Sequence, residues 1–218
     1  MFTGIVEEIG IIKRITLNGS SGQLAVRAGK VLEGTKVGDS IAVNGICLTV
    51  ISLQADGFTA DVMAETVRRS SLKNCRIGDA VNLERAMAAD GRFGGHMVSG
   101  HIDGTGVILS YNREENAVWV TIGANAEILE LIVEKGSVCI DGISLTVAQV
   151  NESAFQVSVI PHTGEETTLL KKKLGDTVNL ENDVIGKYVR KLLGREKNQG
   201  ESVVSSKLTM DFLKECGI

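Results

Sequence analysis

The histidines and cysteines of this chain are its main candidates for a base or a nucleophile. Imidazole is the side chain best suited to proton transfer near pH 7, and His96, His101 and His162 are the only three histidines. The spacing of His96 and His101 matches no common metal-ligand pattern, so it favours proton transfer over metal binding. The cysteines are scattered, at Cys47, Cys75, Cys139 and Cys216. Because no CxxC pair occurs, they predict a reducing cytoplasm and neither a zinc site nor a disulfide framework.

Two related segments, ICLTV (46–50) and ISLTV (143–147), each place a small reactive side chain beside a threonine. Side chains alternate along a strand, so Cys47 and Thr49 face away from the predicted core, as do Ser144 and Thr146. A glycine precedes each segment and allows another backbone to approach closely. Taken singly, these are also ordinary strand residues, and that interpretation stays open.

These segments belong to an internal duplication. SIAVNGICLTV (40–50) aligns with SVCIDGISLTV (137–147), and GDAVNLE (78–84) aligns with GDTVNLE (175–181), both at an offset of 97 residues. The opening MFTGIVEEIG (1–10) aligns with MVSGHIDGTG (97–106) at an offset of 96. Three matched blocks in the same order indicate two copies of one domain. The glycine-rich segment GRFGGH (91–96) is the predicted boundary.

Each copy is predicted to consist mainly of short strands, as in a small closed barrel or a sandwich. The expected strands are 41–50, 58–63 and 80–83, with counterparts at 138–147, 155–160 and 177–180. Short helices are expected over 65–72, 124–133 and 165–170. After Gly194 we expect a polar linker, REKNQGE, and then a helix from about residue 205 with Val204, Leu208 and Phe212 on one face. Its partner is either its own barrel or the same helix of other subunits.

The two copies differ at positions that titrate. The aligned pairs are Asn44 with Asp141, Cys47 with Ser144, Ile5 with His101, and Glu65 with His162. The positions that determine the fold are the same in both copies, whereas these titratable positions differ. The pattern suits two similar pockets that bind the same kind of molecule in different chemical states.

Composition and charge exclude several classes of function. The chain has 218 residues and a formal charge of −4, and no basic run extends over a face, so nucleic acid is not an expected partner. No apolar stretch approaches the ~20 residues of a membrane span, and the N-terminal segment does not resemble a signal peptide. Lys171, Lys172 and Lys173 are interpreted as a solvated turn rather than a phosphate clamp. No Rossmann or P-loop motif is present.

The motifs MFTGIV, NGICLTV, GGHMVSGH and DGISLTV together resemble the riboflavin synthase family, from Met1 to about Tyr188. The resemblance implies an all-β fold of two tandem six-stranded Greek-key barrels with short helices. It further implies a homotrimer held by C-terminal helices. The expected division is residues 1–96 for the first barrel, 97–188 for the second, and 189–218 for the linker and trimerisation helix.

The resemblance also implies a reaction without cofactor or metal. Two molecules of 6,7-dimethyl-8-ribityllumazine exchange a four-carbon unit and yield riboflavin and 5-amino-6-(D-ribitylamino)uracil. In the family, a working site lies between the first barrel of one subunit and the second barrel of its neighbour. Other enzymes of the riboflavin pathway stay open as partners.

Site residues are transferred from the family motifs to this chain. Backbone and side chains expected to line the first pocket are those of Gly4, Ile5, Val6, Cys47, Leu48, Thr49, Asp61, Val62, Met63, Ala64, Glu65 and Thr66. Those expected to line the second are Gly100, His101, Ile102, Lys135, Ser144, Leu145, Thr146, Ser158, Val159, Ile160, Pro161, His162 and Thr163. Phe2 and Ser40 join the substrate-binding set; a plain core role is the alternative for Phe2. The candidates for proton transfer or nucleophile activation are His101, His96, Cys47, and Asp141 with Ser144; which one is the base stays open.

Two other functions compete with the enzyme. A lumazine or flavin carrier would use the same barrels without turnover, and a duplicated barrel could serve only as an assembly scaffold. Both copies keep a glycine, a serine or cysteine, and a threonine, which favours the enzyme over a carrier with a single competent pocket. A scaffold leaves the differences at titratable positions unexplained.

Overall fold

The computed structural model describes residues 1–18 and 21–200, with side chains for residues 1–16 and 22–194. Within this part of the chain, twelve strands form two closed antiparallel barrels. The first contains β1 (Glu8–Asn18), β2 (Ser21–Arg27), β3 (Ser40–Val43), β4 (Ile46–Gln54), β5 (Gly57–Met63) and β6 (Ala80–Arg85). The second contains β7 (Gly104–Glu114), β8 (Ala117–Gly123), β9 (Ser137–Ile140), β10 (Ile143–Val150), β11 (Ala154–Val159) and β12 (Thr177–Asn182).

The two barrels have the same topology. The first closes in the order β1-β2-β5-β4-β3-β6, and the second has the equivalent order when it is read from β7, namely β7-β8-β11-β10-β9-β12. Each barrel closes on its own apolar core, so neither sheet leaves a free edge. The predicted fold of two tandem six-stranded barrels is confirmed.

Alternation along β4 and β10 is as the sequence predicts. Leu48 and Val50 are buried in the first core, whereas Cys47 is half-buried and Thr49 is exposed. The same pattern repeats along β10, where Ser144 is half-buried. Each barrel therefore fills its interior from one face of this strand and keeps the reactive side chain on the outer face.

The predicted strands 41–50 and 138–147 are wrong as single strands, because each is a tight hairpin. Asn44 and Gly45 turn the chain between β3 and β4, with φ of 45° and 78°, and Asp141 and Gly142 do the same between β9 and β10, with φ of 45° and 82°. Two successive residues with positive φ define the type I′ turn, for which Asn-Gly and Asp-Gly are the preferred pairs. That dipeptide signal was present in the sequence.

The short helices differ in position from their predicted ranges. They are α1 (Ala64–Arg69), α2 (Ala126–Leu129) and α3 (Pro161–Glu166), with 3₁₀ turns at Lys30–Leu32, Ser71–Asn74 and Leu169–Lys171. The helix expected over 165–170 starts four residues earlier, because Pro161 occupies its first position, where a proline costs no hydrogen bond. Within the described residues, no helix is long and apolar enough to span a bilayer.

The C-terminal segment forms a separate compact unit. The helix α4 (Val184–Gly200) belongs to this unit from Ile185 onward, whereas both barrels lie in the unit Met1–Val184. The polar linker predicted after Gly194 is wrong as far as Gly200, since Arg, Glu, Lys and Gln are good helix formers and no proline interrupts them. The helix predicted near residue 205, with Val204, Leu208 and Phe212, lies outside the described residues. The domain ranges 1–96 and 97–188 stay a prediction.

The two barrels are joined by a symmetric set of polar contacts. Asn82 Nδ2 donates to the carbonyl of Asp141 at 2.8 Å, and Asn179 Nδ2 donates to the carbonyl of Asn44 at 2.9 Å. Each of these two asparagines also accepts a backbone N–H from the 3₁₀ turn of the other barrel, from Thr168 at 2.8 Å and Ser71 at 2.6 Å. Buried amides satisfied on both sides specify one relative placement of the barrels.

Candidate active site

The segment that precedes each barrel lies against the other barrel. The N–H of Cys47 on β4 donates to the carbonyl of Gly100 at 2.9 Å, and the N–H of Ser144 on β10 donates to the carbonyl of Gly4 at 2.8 Å. Ile102 packs on the first core and Val6 on the second. The structure thus places Gly4 and Val6 against the second barrel, and Gly100 and Ile102 against the first.

Glycine is required where these segments cross. Gly100 has a φ of +82°, and a Cβ built on it would lie 2.5 Å from the Cβ of Cys47. Gly4 has a φ of +76°, and its Cβ would lie 2.6 Å from the Cβ of Ser144. Any side chain at either position would push the segment away from the reactive residue. The two glycines thus set how closely each segment approaches the strand that it crosses.

The first pocket is a small cavity of about 170 Å³ at the outer face of β4. Cys47 and His101 line it together, so the structure brings these two candidates into one site. The cavity also includes Glu65 and Thr66 of α1, which were predicted to contact substrate. Its full lining is Ile46, Cys47, Glu65, Thr66, Arg69, Ser70, Gly100, His101 and Ile102.

Arg69 and Ser70 were not among the predicted site residues. Arg69 pairs with Glu65, which also accepts from Arg68 Nη2 at 2.6 Å. Hydrogen bonds from Arg68 and Arg69 lower the pKa of the Glu65 carboxyl, so Glu65 is ionised at neutral pH. The i, i+3 and i, i+4 spacing of these charges on a predicted helix was the signal that could have placed Arg69 at the site.

The outer face of β10 carries a direct contact between two predicted catalytic residues, at the place predicted for the second pocket. Nδ1 of His96 lies 2.7 Å from Oγ of Ser144, which is a hydrogen bond. Burial lowers the pKa of His96, so the imidazole is neutral at pH 7. The neutral ring can accept the serine proton and increase the nucleophilicity of the hydroxyl oxygen.

His96 is held at Ser144 by the segment that joins the two barrels. The backbone N–H of His96 donates to the carbonyl of Thr3 at 3.1 Å. A Cβ built on Gly95 would lie 2.2 Å from that carbonyl oxygen and 2.8 Å from Ser144 Oγ, so only glycine permits this approach.

Asp141 does not assist Ser144. The side chain is fully buried, and its Oδ1 accepts from the N–H of Asn179 at 2.7 Å. Its Oδ2 lies 3.2 Å from Nζ of Lys172, close enough for an ion pair although not aligned as a hydrogen bond. Burial raises the pKa of Asp141, and Lys172 partly offsets this effect. The prediction of an Asp141–Ser144 pair is wrong because the carboxylate belongs to the contact between the barrels.

Phe2 takes the core role. Its side chain is fully buried with Ala42, Val98 and Cys139 between the barrels, and its backbone pairs with Val98. With no exposed surface, the ring cannot cover a substrate ring. The prediction that Phe2 contacts substrate is therefore wrong for its side chain.

The other predicted binding residues divide into buried and accessible groups. Side chains that point into the barrel cores, and so offer only backbone, are those of Leu48, Val62, Leu145 and Val159. Exposed side chains are those of Ile5, Thr49, Asp61, Met63, His101, Lys135, Thr146, Ser158, Ile160, Pro161 and His162. Ile5 and Ser40 line a larger cavity of about 830 Å³ on the first barrel. Ala64 and Thr163 are half-buried at the starts of α1 and α3.

No group of three or more His, Cys, Asp or Glu residues is positioned to hold a metal ion in the described part of the chain. The two predicted pockets differ in the side chains that they offer. The first offers a cysteine beside a histidine, and the second offers a serine hydrogen-bonded to a histidine.

The chain is similar to proteins that bind lumazines. A model of the family described as lumazine binding domain matches twice, at residues 3–86 and 99–183. Riboflavin synthases of Actinobacillus pleuropneumoniae and Bacillus subtilis are 50% and 45% identical, each over 100% of both chains. Crystal structures of LumP with 6,7-dimethyl-8-(1'-D-ribityl) lumazine and with riboflavin have TM-scores of 0.75 and 0.77. Both are 26% identical and cover 84% of this chain and 99% of LumP.

Proposed function

The chain belongs to the riboflavin synthase family, and from this membership we propose the reaction that its two pockets perform. The enzyme transfers a four-carbon unit between two molecules of 6,7-dimethyl-8-ribityllumazine. The products are riboflavin and 5-amino-6-(D-ribitylamino)uracil, in the last step of riboflavin biosynthesis. Two identical substrates and two homologous pockets correspond one to one.

The observation that carries the mechanism is the unequal chemistry of the two pockets. The second has Ser144 hydrogen-bonded at 2.7 Å to His96, and the first has Cys47 beside His101. One lumazine must lose a proton from its 7-methyl group, and its partner must accept the resulting carbanion. Different groups in the two pockets suit these different roles.

We assign nucleophile activation to the His96–Ser144 pair and transfer of the methyl proton to His101. The neutral imidazole of His96 can take a proton from Ser144 or from a water that Ser144 orients, which then adds to the electron-poor ring. The 7-methyl proton is acidic because its carbanion delocalises into that ring. General acid–base catalysis of this kind contributes about 10²–10⁴-fold.

Positioning contributes more than either group alone. Holding two rings face to face converts a bimolecular step into an effectively unimolecular one, which lowers the barrier by up to about 7–11 kcal/mol in ideal cases. For this step the first barrel of one subunit and the second barrel of its neighbour must face each other. Met63 at the end of β5 and Ile160 just after β11 are exposed, and they supply apolar surface for such a contact.

We further propose a homotrimer that works in the cytoplasm. Along α4, Ile185, Tyr188, Val189, Leu192 and Leu193 recur at the spacing of one helix face, and all five are exposed. Truncation after Gly200 removes the adjoining segment with Val204, Leu208 and Phe212. We expect a smaller mass by light scattering at equal concentration; an unchanged mass would reject the role of this segment. Association with other pathway enzymes stays a prediction.

A carrier that binds lumazine without turnover is the second candidate, because LumP shares the fold. The test is to incubate the purified protein with 6,7-dimethyl-8-ribityllumazine alone and to follow riboflavin by its absorbance and fluorescence. We expect one riboflavin for every two lumazines consumed, with repeated turnovers per chain. Tight binding without riboflavin formation would establish the carrier instead.

A further inference from the structure

Two buried carboxylates lie behind the pockets and take no part in the mechanism above. Glu84 on β6 and Glu181 on β12 occupy equivalent positions in the two copies, and they are 6% and 1% exposed. Burying a carboxylate is costly unless several donors satisfy it. The hydrogen-bond donors around each carboxylate identify the segment of chain that it anchors.

Glu181 binds the segment that lines the first pocket. Its Oε1 accepts from the N–H of Ser99 at 2.6 Å and from Oγ of Ser99 at 2.6 Å, and its Oε2 accepts from the N–H of Gly100 at 3.0 Å. The same Ser99 hydroxyl accepts a longer bond, 3.3 Å, from the N–H of His101. A chain of hydrogen bonds therefore runs from β12 to the backbone of a predicted catalytic residue.

Glu84 makes the equivalent contacts for the second pocket. Its Oε1 accepts from the N–H of Thr3 at 2.7 Å and from Oγ1 of Thr3 at 2.8 Å, and its Oε2 accepts from the N–H of Gly4 at 3.0 Å. The pattern of donors matches that of Glu181, which indicates one device used twice.

We propose that Glu181 is a positioning residue for the first pocket and Glu84 for the second. Each anchors the segment ahead of its own barrel, and that segment closes the pocket of the other barrel through the backbone bonds to Cys47 and Ser144. The two carboxylates place the segments whatever reaction the protein catalyses. The expected effect on turnover, in contrast, rests on the proposed function.

Only a carboxylate meets the geometry. Three donors converge on two oxygens, and both oxygens must accept. In Glu181→Gln, one amide oxygen can still accept from Ser99, but the amide nitrogen then faces the N–H of Gly100, donor against donor. The variant keeps the size of the side chain and loses the anchor of Gly100.

The thiol of Cys47 reports on this anchor without substrate. A loosened Gly100 segment exposes Cys47, so we expect Glu181→Gln to increase the rate of Cys47 alkylation by iodoacetamide about tenfold. That factor corresponds to the loss of one charge-assisted hydrogen bond. Peptide-level mass spectrometry separates Cys47 from Cys75, which is half-buried under the first barrel and reports on general unfolding.

Glu84→Gln is the matched control, since it removes the same anchor from the other segment. It should leave the Cys47 rate within about twofold of the wild type. An unchanged rate in Glu181→Gln, or an equal increase in both variants, would overturn the proposal. Should Glu181→Gln fail to fold, Ser99→Ala removes one donor only and should still raise the Cys47 rate more than Thr3→Ala does; equal rates would again overturn it.

Turnover provides a second readout. With lumazine as substrate, Glu181→Gln should raise KM and lower kcat, because it deforms the first pocket and shifts the backbone of His101. The dependence of kcat on the pKa of His96 should stay as in the wild type, since the His96–Ser144 pair remains in place; wild-type KM and kcat would contradict a positioning role. The alkylation result stands whether or not the protein proves to be a synthase, so failure of the two proposals can be distinguished.

Discussion

Ser144 and Cys47 occupy equivalent positions on β10 and β4, and what surrounds them differs in one decisive respect. The segment between the barrels brings His96 into hydrogen-bond contact with Ser144, whereas the histidine that lines the cavity at Cys47 is His101. The two reactive positions therefore differ in the histidine beside them as well as in the residue itself.

The His96–Ser144 pair is expected to act as one unit in turnover. Ser144→Ala and His96→Ala should each lower kcat by about 10²–10⁴-fold, and the double variant should be little worse than the more severe single variant. In the wild type, kcat should fall as the pH drops through the lowered pKa of His96, below its ordinary 6.5. Steady-state kinetics between pH 5 and 8 measure both effects. Wild-type kcat in Ser144→Ala would remove the pair from the mechanism.

A second pair of equivalent positions differs in charge, and a neighbouring position differs with it. Asp141 of the second copy lies by Lys172, and the aligned residues of the first copy are Asn44 and Cys75. Asn44 Oδ1 accepts from the N–H of Asn82 at 2.8 Å, just as Asp141 Oδ1 accepts from Asn179. In the first copy an uncharged residue thus accepts the equivalent backbone N–H.

The pH dependence of stability should report on Asp141. Its pKa is raised in the folded state, so its contribution is full below the unfolded value near 3.8 and is lost as the pH rises through the folded pKa. Asp141→Asn should therefore gain stability relative to the wild type between pH 4 and pH 7, by about 1.4 kcal/mol for each unit by which the pKa is raised. Urea unfolding at the two pH values measures this difference. A variant that loses relative stability over this range would contradict the assignment.

At the scale of elements, the two hairpin turns meet back to back between the barrels. A Cβ built on Gly45, whose φ is +78°, would lie 2.8 Å from the backbone nitrogen of Gly142. Gly34 has a similar φ of +74°, but its Cβ would meet nothing within 4 Å. A comparison of substitutions at Gly45 and Gly34 therefore separates the cost of a left-handed backbone from the cost of a steric clash.

Gly45→Ala should destabilise the protein more than Gly34→Ala. Gly34→Ala should lower the free energy of unfolding by about 1–2 kcal/mol, because alanine is strained in the left-handed backbone conformation. Gly45→Ala also pushes the barrels apart, so it should lower that free energy by about 1–3 kcal/mol more. The free energies of unfolding in urea provide the comparison. Equal losses in the two variants would show that the barrels are not held at the distance described.

The repeat predicted the barrels well and the pockets less well, for a physical reason. Internal alignment shows that Gly4 and Gly100 are equivalent, but equivalence does not show which barrel a segment packs against. Strand alternation correctly placed Cys47 and Ser144 on the outer face, because it depends only on local geometry. The crossing of the segments, the partner of Ser144 and the burial of Asp141 arise from contacts between residues 38 or more positions apart, which no local pattern encodes.

At the scale of the whole molecule, neither barrel builds its pocket alone. Cys47 needs Gly100 from the second copy, and Ser144 needs Gly4 from the first. The buried amides of Asn82 and Asn179 hold the two copies in the one arrangement that satisfies both pockets. Duplication thus produced a pair of interdependent sites rather than two independent domains.

The number of lumazines that one chain binds tests this account most directly. A 6,7-dimethyl-8-ribityllumazine analogue that lacks the 7-methyl group cannot lose the reactive proton, so it can be titrated without turnover. Isothermal titration calorimetry should give two analogues per chain, one at each pocket. Saturation at one analogue per chain, with the other pocket still empty, would contradict the central claim.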